Sequence, residues 1–231
     1  MVEVYEYHLR PTALVPNSPQ PLLFYKGLMS EAHRAPAKIH DLFDKNEWET
    51  QWIFRYGPTQ ESHYHSSIHE CMAVLSGSAT IRFGVADTDN DLERSTWGGA
   101  KEDGGVEIEA QAGDVFVIPA GVAHKTYNTS PGAPFSLLTP GTGRGIHADN
   151  VKEALEKIQL SGYTMMGAYP KNCGDWDFSV GGDDVGNFER SWTVPKPEKD
   201  PFLGSAPEGL CGEWRSISSS TLGRKRAGAK Q

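Results

Sequence analysis

Two runs, each opening on glycine and each holding a stretch of apolar and β-branched residues, constrain this chain more than any other feature. The first, Gly57 to Gly77, reads GPTQESHYHSSIHECMAVLSG and places His63, His65, His69 and Glu70 within eight residues. Residues two apart on a strand face the same side, so His63 and His65 point together. A turn at Ser66-Ser67 can bring Glu70 back toward them. The CMAVLSG that follows has the continuous apolar character of a buried strand closed by a glycine turn. The second run, Gly113 to Asn128, reads GDVFVIPAGVAHKTYN: another buried strand, a Pro-x-Gly turn, and then His124. Imidazole nitrogens and carboxylate oxygens are both ligands for divalent metals.

These runs resemble the cupin family. The first fits the pattern G-x5-H-x-H-x4-E-x6-G at Gly57, His63, His65, Glu70 and Gly77; the second fits G-x5-P-x-G-x2-H-x3-N at Gly113, Pro119, Gly121, His124 and Asn128. Glycine makes up about 7% and proline about 5% of residues in average proteins, so a match at every fixed position is not a chance event. The resemblance implies an all-β cupin double-stranded β-helix, a jelly-roll barrel, with a few peripheral helices. It also implies His63, His65, Glu70 and His124 as ligands to one divalent transition metal: Fe, Mn, Ni or Zn. The order VPNSPQPLLFYKG, DKNEWETQW, HYHSSIHE, GDVFVIPAGVAHK, GAYP and VPKPEKDPFLG is similar to the small YjlB-type cupins of bacteria and fungi. Against the short bacterial form, this chain carries an insertion around Gly141 to Gly162, which alters one pocket rim and not the metal site.

The chemistry of the donor set agrees with that expectation. Three imidazoles and one carboxylate leave about two positions on a six-coordinate ion, room for substrate, water or dioxygen. The expected function is a metalloenzyme acting on a small organic molecule, with oxygenase-type chemistry ahead of decarboxylation or isomerisation and Glu70 doubling as a proton acceptor. The alternative is a non-enzymatic cupin that binds metal or a small ligand, because one barrel serves both uses.

His69 competes with Glu70 for the site, since neighbours on a strand face opposite ways. Motif spacing assigns Glu70, Met72 and Val74 to the metal face, and His69, Cys71 and Ala73 to the other; a four-histidine site is the alternative. His8, His33, His40 and His147 read as surface or packing residues, Arg55 as an ordinary strand arginine, and Cys71 as a small buried hydrophobe. Tyr64 and Tyr127 sit out of phase with the ligands.

The remaining organisation follows from length and punctuation. With 231 residues, 25 glycines and 15 prolines, short strands and tight turns in one barrel are expected. Residues 1–47 read as an edge strand, a proline-rich loop and a helix over Pro36 to Asn46 with Pro36 in its first turn. Residues 48–170 form the barrel. Within it, Ala79, Ile81 and Phe83 alternate as a half-buried strand, Asp87 to Gly105 reads as a polar hairpin region, and Asp149-Asn150 caps a helix. Residues 171–231 form an arm anchored by Trp176, Trp192 and Trp214, ending in a disordered basic tail.

The net charge of −8 argues against nucleic acid or an anionic membrane surface as partner. Three unclustered cysteines suggest neither a disulfide framework nor a thiolate metal site. Neither a secretory leader nor a run of about 20 apolar residues is present, so a cytoplasmic protein with a small-molecule substrate is expected, with a homodimer among its assemblies.

Overall fold

The computed structural model describes residues 3–171 and 173–215. Twelve strands run through them: β1 Val4–Tyr7, β2 Leu22–Tyr25, β3 Trp48–Arg55, β4 His63–Tyr64, β5 Glu70–Ser76, β6 Ser78–Phe83, β7 Val106–Gln111, β8 Val115–Ile118, β9 His124–Ser130, β10 Ser136–Leu137, β11 Thr164–Pro170 and β12 Ser179–Val180. Five α-helices and a 3-10 turn at Glu31–His33 accompany them: α1 Pro36–Lys45, α2 Leu92–Thr96, α3 Val151–Glu156, α4 Glu189–Trp192 and α5 Leu210–Glu213. The strands form two antiparallel sheets, ordered β1-β2-β8-β5-β11-β3-β10 and β12-β4-β9-β6-β7. Facing each other across a common apolar core, they make a jelly roll.

The larger sheet is buried on both faces, which explains its unbroken apolar strands. Leu22, Phe24, Trp52, Met72, Val74, Phe116, Met165 and Tyr169 face the barrel interior with Ile81, Phe83 and Ile108 of the smaller sheet. Leu23, Cys71, Ala73, Val117, Met166 and Ala168 face outward, where Ile39 and Phe43 of α1, Leu155 of α3 and Leu210 and Trp214 of the arm cover them. Pro36 opens α1 and Asn150 caps α3 by accepting from the Glu153 amide at 3.1 Å, as expected. The two faces of β3, equivalent in sequence, are now distinguished: Trp52 packs inward and Ile53 outward.

Two expectations are corrected. The region from Asp87 to Gly105 contains a short helix, α2, whose cap is Asp91; its carboxylate accepts from the Glu93 and Arg94 amides at 2.9 and 3.2 Å. That segment also covers the outer face of β6, so Thr80 and Arg82 are buried and the strand is not half-exposed. Arg82 reaches Asp87 at 2.8 Å, which supplies the counter-charge its burial requires. The basic tail with Arg224, Lys225 and Arg226 lies outside the described residues. Among the described residues, no helix is long and apolar enough to cross a membrane.

Candidate metal centre

The site forms where the two motif runs meet. His63 of β4 is paired directly with His124 of β9, and Glu70 opens β5 opposite Ile118 of β8. Gly77, with φ of +73°, closes the β5–β6 turn; a Cβ there would lie 2.6 Å from the Ser130 carbonyl oxygen and 2.7 Å from that of Gly162. Asn128 takes the left-handed backbone with φ of +53°, a conformation asparagine tolerates better than most side chains.

All four expected residues converge. His63, His65 and His124 each offer a nitrogen within 4.8 Å of the others. Glu70 Oε1 lies 3.5 Å from His65 Nε2, and Oε2 lies 3.2 Å from His124 Nε2. His65, Glu70 and His124 are buried, while His63 is partly exposed at the mouth, its ring 4.2 Å from that of Phe178 and nearly parallel to it.

The three rings are held in a common tautomer. His63 Nδ1 lies 3.2 Å from the Glu61 carbonyl, His124 Nδ1 lies 3.2 Å from the Val122 carbonyl, and His65 Nδ1 meets the Asp177 carbonyl. A carbonyl only accepts, so each Nδ1 carries the proton and each neutral ring keeps its Nε2 lone pair for the centre. This arrangement typically orients metal-bound histidines.

His69 is directed away from the cluster. Its Nδ1 accepts from the Ala120 amide at 2.9 Å, its Nε2 donates to the Pro195 carbonyl at 3.1 Å, and its ring lies 4.8 Å from that of Trp214. Both nitrogens are occupied between the second motif and the arm. Burial holds His69 down at about 4.

The electrostatics describe a cluster short of a cation. Burial raises Glu70, but His65 and His124 outweigh it and bring the carboxylate down to about 2. Burial and the neighbouring imidazoles push His63 well below its ordinary value, and burial lowers His124. Burial also opposes protonation of His65, yet Glu70 and the Asp177 carbonyl raise it. Glu70 Oε2 remains buried with no hydrogen-bond partner among the described residues. A lone carboxylate oxygen beside lone-pair nitrogens fits a divalent ion well.

Sequence reasoning missed Tyr169, Asp177 and Phe178, and read Trp176 as an arm anchor without placing it at the site. The Tyr169 hydroxyl lies 2.9 Å from Glu70 Oε1 and 3.2 Å from His65 Nε2, and burial followed by the Glu70 charge drives it well above the usual phenol range. Alternation in YTMMGAYP assigns Tyr169 to the face of Tyr163 and Met165, a signal that was available. Gly167 belongs to the same device: a Cβ there would lie 2.1 Å from the Trp52 ring, so only glycine admits that ring. Asp177 has no sequence signal, yet its carboxylate accepts from the Ser66 amide at 2.9 Å, the Ser67 hydroxyl at 2.7 Å and the Ser179 hydroxyl at 3.0 Å. Those bonds outweigh its burial and keep it well below the ordinary carboxylate range. Arg144, from the insertion, places its guanidinium 4.0 Å from the Trp176 ring centre.

The other residues behave as read. Cys71 lies in the outer cluster, and Tyr64 is turned away, donating to Asp184 at 3.0 Å. Arg55 holds the Pro134 carbonyl at 2.9 Å.

The jelly roll and its paired motifs are those of the cupin fold, and the Cupin family model matches residues 58–159. The chain is similar to the uncharacterized protein YjlB of Bacillus subtilis (strain 168), with 30% identity over 133 residues, 56% of this chain and 65% of that protein. The match therefore spans slightly less than two thirds of the relative's length. Among solved structures, it is similar to a cupin-2 domain containing protein from Shewanella frigidimarina (18% identity, TM-score 0.27, 55% of this chain and 72% of that one). It is also similar to RmlC from Streptococcus suis in complex with dTDP-D-xylose (10% identity, TM-score 0.30, 73% and 70%). At such TM-scores the fold assignment rests on the strand topology and the motifs.

Proposed function

We propose that this chain is a metalloenzyme that holds one divalent transition ion through His63, His65, Glu70 and His124 and acts on a small organic molecule. The observation that carries the reading is Glu70 Oε2, a buried oxygen without a hydrogen-bond partner, 3.2 Å from His124 Nε2. With three imidazoles fixed in one tautomer, the donor set suits Fe, Mn, Ni or Zn. When bound, the ion supplies Lewis-acid polarisation of substrate oxygens, or redox chemistry if it is Fe or Mn.

The protein's own residues do the rest. Glu70 would act as proton acceptor on leaving the ion, and the Tyr169 hydroxyl donates a hydrogen bond to its Oε1. Trp176, edge-on to His65 at 5.4 Å, and Phe178 against His63 restrict the entry of water. A polar cleft of about 210 Å³ runs past Gln51, Arg144, Tyr169 and Trp176, and Tyr169 links it to the cluster. A hydroxyl beside the four ligands, that of Tyr169, favours catalysis over simple binding. Oxygenase-type chemistry stands ahead of decarboxylation or isomerisation because the donor set leaves about two positions on a six-coordinate ion.

Elemental analysis of purified protein should find about one divalent ion per chain, and oxygen-uptake screening with that ion reloaded should find a consumed small organic substrate. No ion retained after reconstitution with Fe, Mn, Ni or Zn would overturn the reading. A bound ion without turnover of any screened compound would favour the non-enzymatic binding protein.

A further inference from the structure

Among the described residues, Tyr169 alone hydrogen-bonds the Glu70 carboxylate without being one of the four expected ligands. We propose that Tyr169 is a positioning residue that makes Glu70 a one-oxygen ligand: its hydroxyl engages Oε1 and leaves Oε2 to the ion. The proposal rests on the metal reading above and extends it to the number of positions left open for chemistry.

Hydrogen accounting supports the assignment. A phenol has one proton to donate, and two acceptors are in reach: Glu70 Oε1 at 2.9 Å and His65 Nε2 at 3.2 Å. The carboxylate is both nearer and charged, and charge-assisted hydrogen bonds are about twice as strong as neutral ones. Trp52 Nε1 donates toward the phenol oxygen from 3.4 Å, which turns the phenol proton toward Glu70. Donation to Glu70 leaves the His65 lone pair free; donation to His65 would block it.

The ring cannot easily move off this position. Tyr169 is 2% exposed, lies edge-on to His65 with centroids 5.4 Å apart, and stacks on Trp176 at 5.7 Å and 18°. Trp52 is itself seated against Gly167, two residues earlier on β11. Both partners of the hydroxyl are therefore fixed before any ion arrives.

The consequence is arithmetic. A carboxylate binding through both oxygens would fill two positions and, with three imidazoles, leave about one of six; binding through one leaves about two. Two open positions are what a substrate and a second small reactant need together. Tyr169 thus keeps the second position open.

The test uses the full chain as wild type, Tyr169→Phe, Glu70→Gln and Tyr56→Phe, the last removing a buried phenol of the same core. Co(II) affinity is measured by competition with a chelator, and the carboxylate stretching bands are read from infrared difference spectra of metal-loaded against metal-free protein. The bands lost in Glu70→Gln belong to Glu70. In wild type their separation should be that of a one-oxygen ligand. Tyr169→Phe should bind Co(II) about 10–100-fold more weakly and show the narrower separation of a two-oxygen ligand. Tyr56→Phe should leave both readouts unchanged. Wild-type affinity and unshifted Glu70 bands in Tyr169→Phe would overturn the proposal. Wild-type protein that takes up none of Co(II), Mn(II), Ni(II) and Zn(II) would overturn the metal reading instead.

Discussion

Asp87 offers the sharpest test of how the site is held. Its Oδ1 accepts from Arg82 at 2.8 Å; its Oδ2 accepts from Lys125 Nζ at 2.9 Å and from the Ser62 amide at 2.9 Å. Ser62 precedes His63 and Lys125 follows His124, so one carboxylate ties together the two strands that carry two of the expected ligands. Arg82, Lys125 and Asp87 have side-chain exposures of 2%, 0% and 8%, and two cations share this one anion. Burial lowers Lys125, and Asp87 opposes that shift. Removing one partner of a buried ion pair costs about 3–5 kcal/mol because the remaining charge stays uncompensated. For a domain of about 150–250 residues, 1 kcal/mol is about 2–4 °C of Tm, so Asp87→Ala should melt about 6–20 °C lower. The control is Asp89→Ala in the same segment: its pair with Arg94 is exposed (31% and 67%), and such pairs are worth about 0–1 kcal/mol. Asp87→Asn, which can still accept from Ser62, should fall between. Thermal melts of the three variants by circular dichroism decide the matter. An Asp87→Ala loss no larger than that of Asp89→Ala would show that the cluster is solvated and ties nothing together.

Two further outcomes are expected. In metal titrations, Glu70→Ala should lose affinity far more severely than His69→Ala, because His69 has both nitrogens engaged away from the cluster; the reverse order would establish a four-histidine site. In chelator-treated protein, His69 stays neutral down to about 4 when folded but protonates near pH 6.5 when unfolded. The unfolded state then binds more protons between those values, so the stabilisation is complete above about 6.5 and is lost as pH falls toward 4. The shift corresponds to about 3 kcal/mol. His69→Gln should be less stable at pH 7 and show a flatter decline over that window when denaturation is followed at several pH values; an unchanged slope would refute it.

What the sequence disclosed and what it hid divide by the range of the interactions. The motif strands were legible because period-two alternation and glycine turns are local, and because the larger sheet, covered on both faces, keeps its strands apolar throughout. The helix α2 was not legible: five residues form barely more than a turn, whose stability comes from its Asp91 cap and from packing, not from a detectable period. Arg82 misled for a related reason. An arginine alternating with apolar residues reads as a solvent face, and only its pairing with Asp87, in a loop five residues on, makes burial tolerable. Asp177 lies more than a hundred residues from the Ser66 and Ser67 amides it binds, and nothing in an arm without a period announces such a contact.

The Glu70 and His69 pair separates spacing from phase most cleanly. Adjacent residues on a strand must face opposite sides, so the sequence left only one binary choice, the phase of β5. Met72 and Val74 lie in the interior cluster, and Cys71 and Ala73 in the outer one. Glu70 therefore shares the interior face with Met72, and His69 is directed toward Trp214. A one-residue slip would exchange the two and would also put Cys71 and Ala73 where Met72 and Val74 fill the barrel, at the cost of the core's packing. The carboxylate is thus presented to the three imidazoles by apolar packing along β5, a constraint independent of any ion.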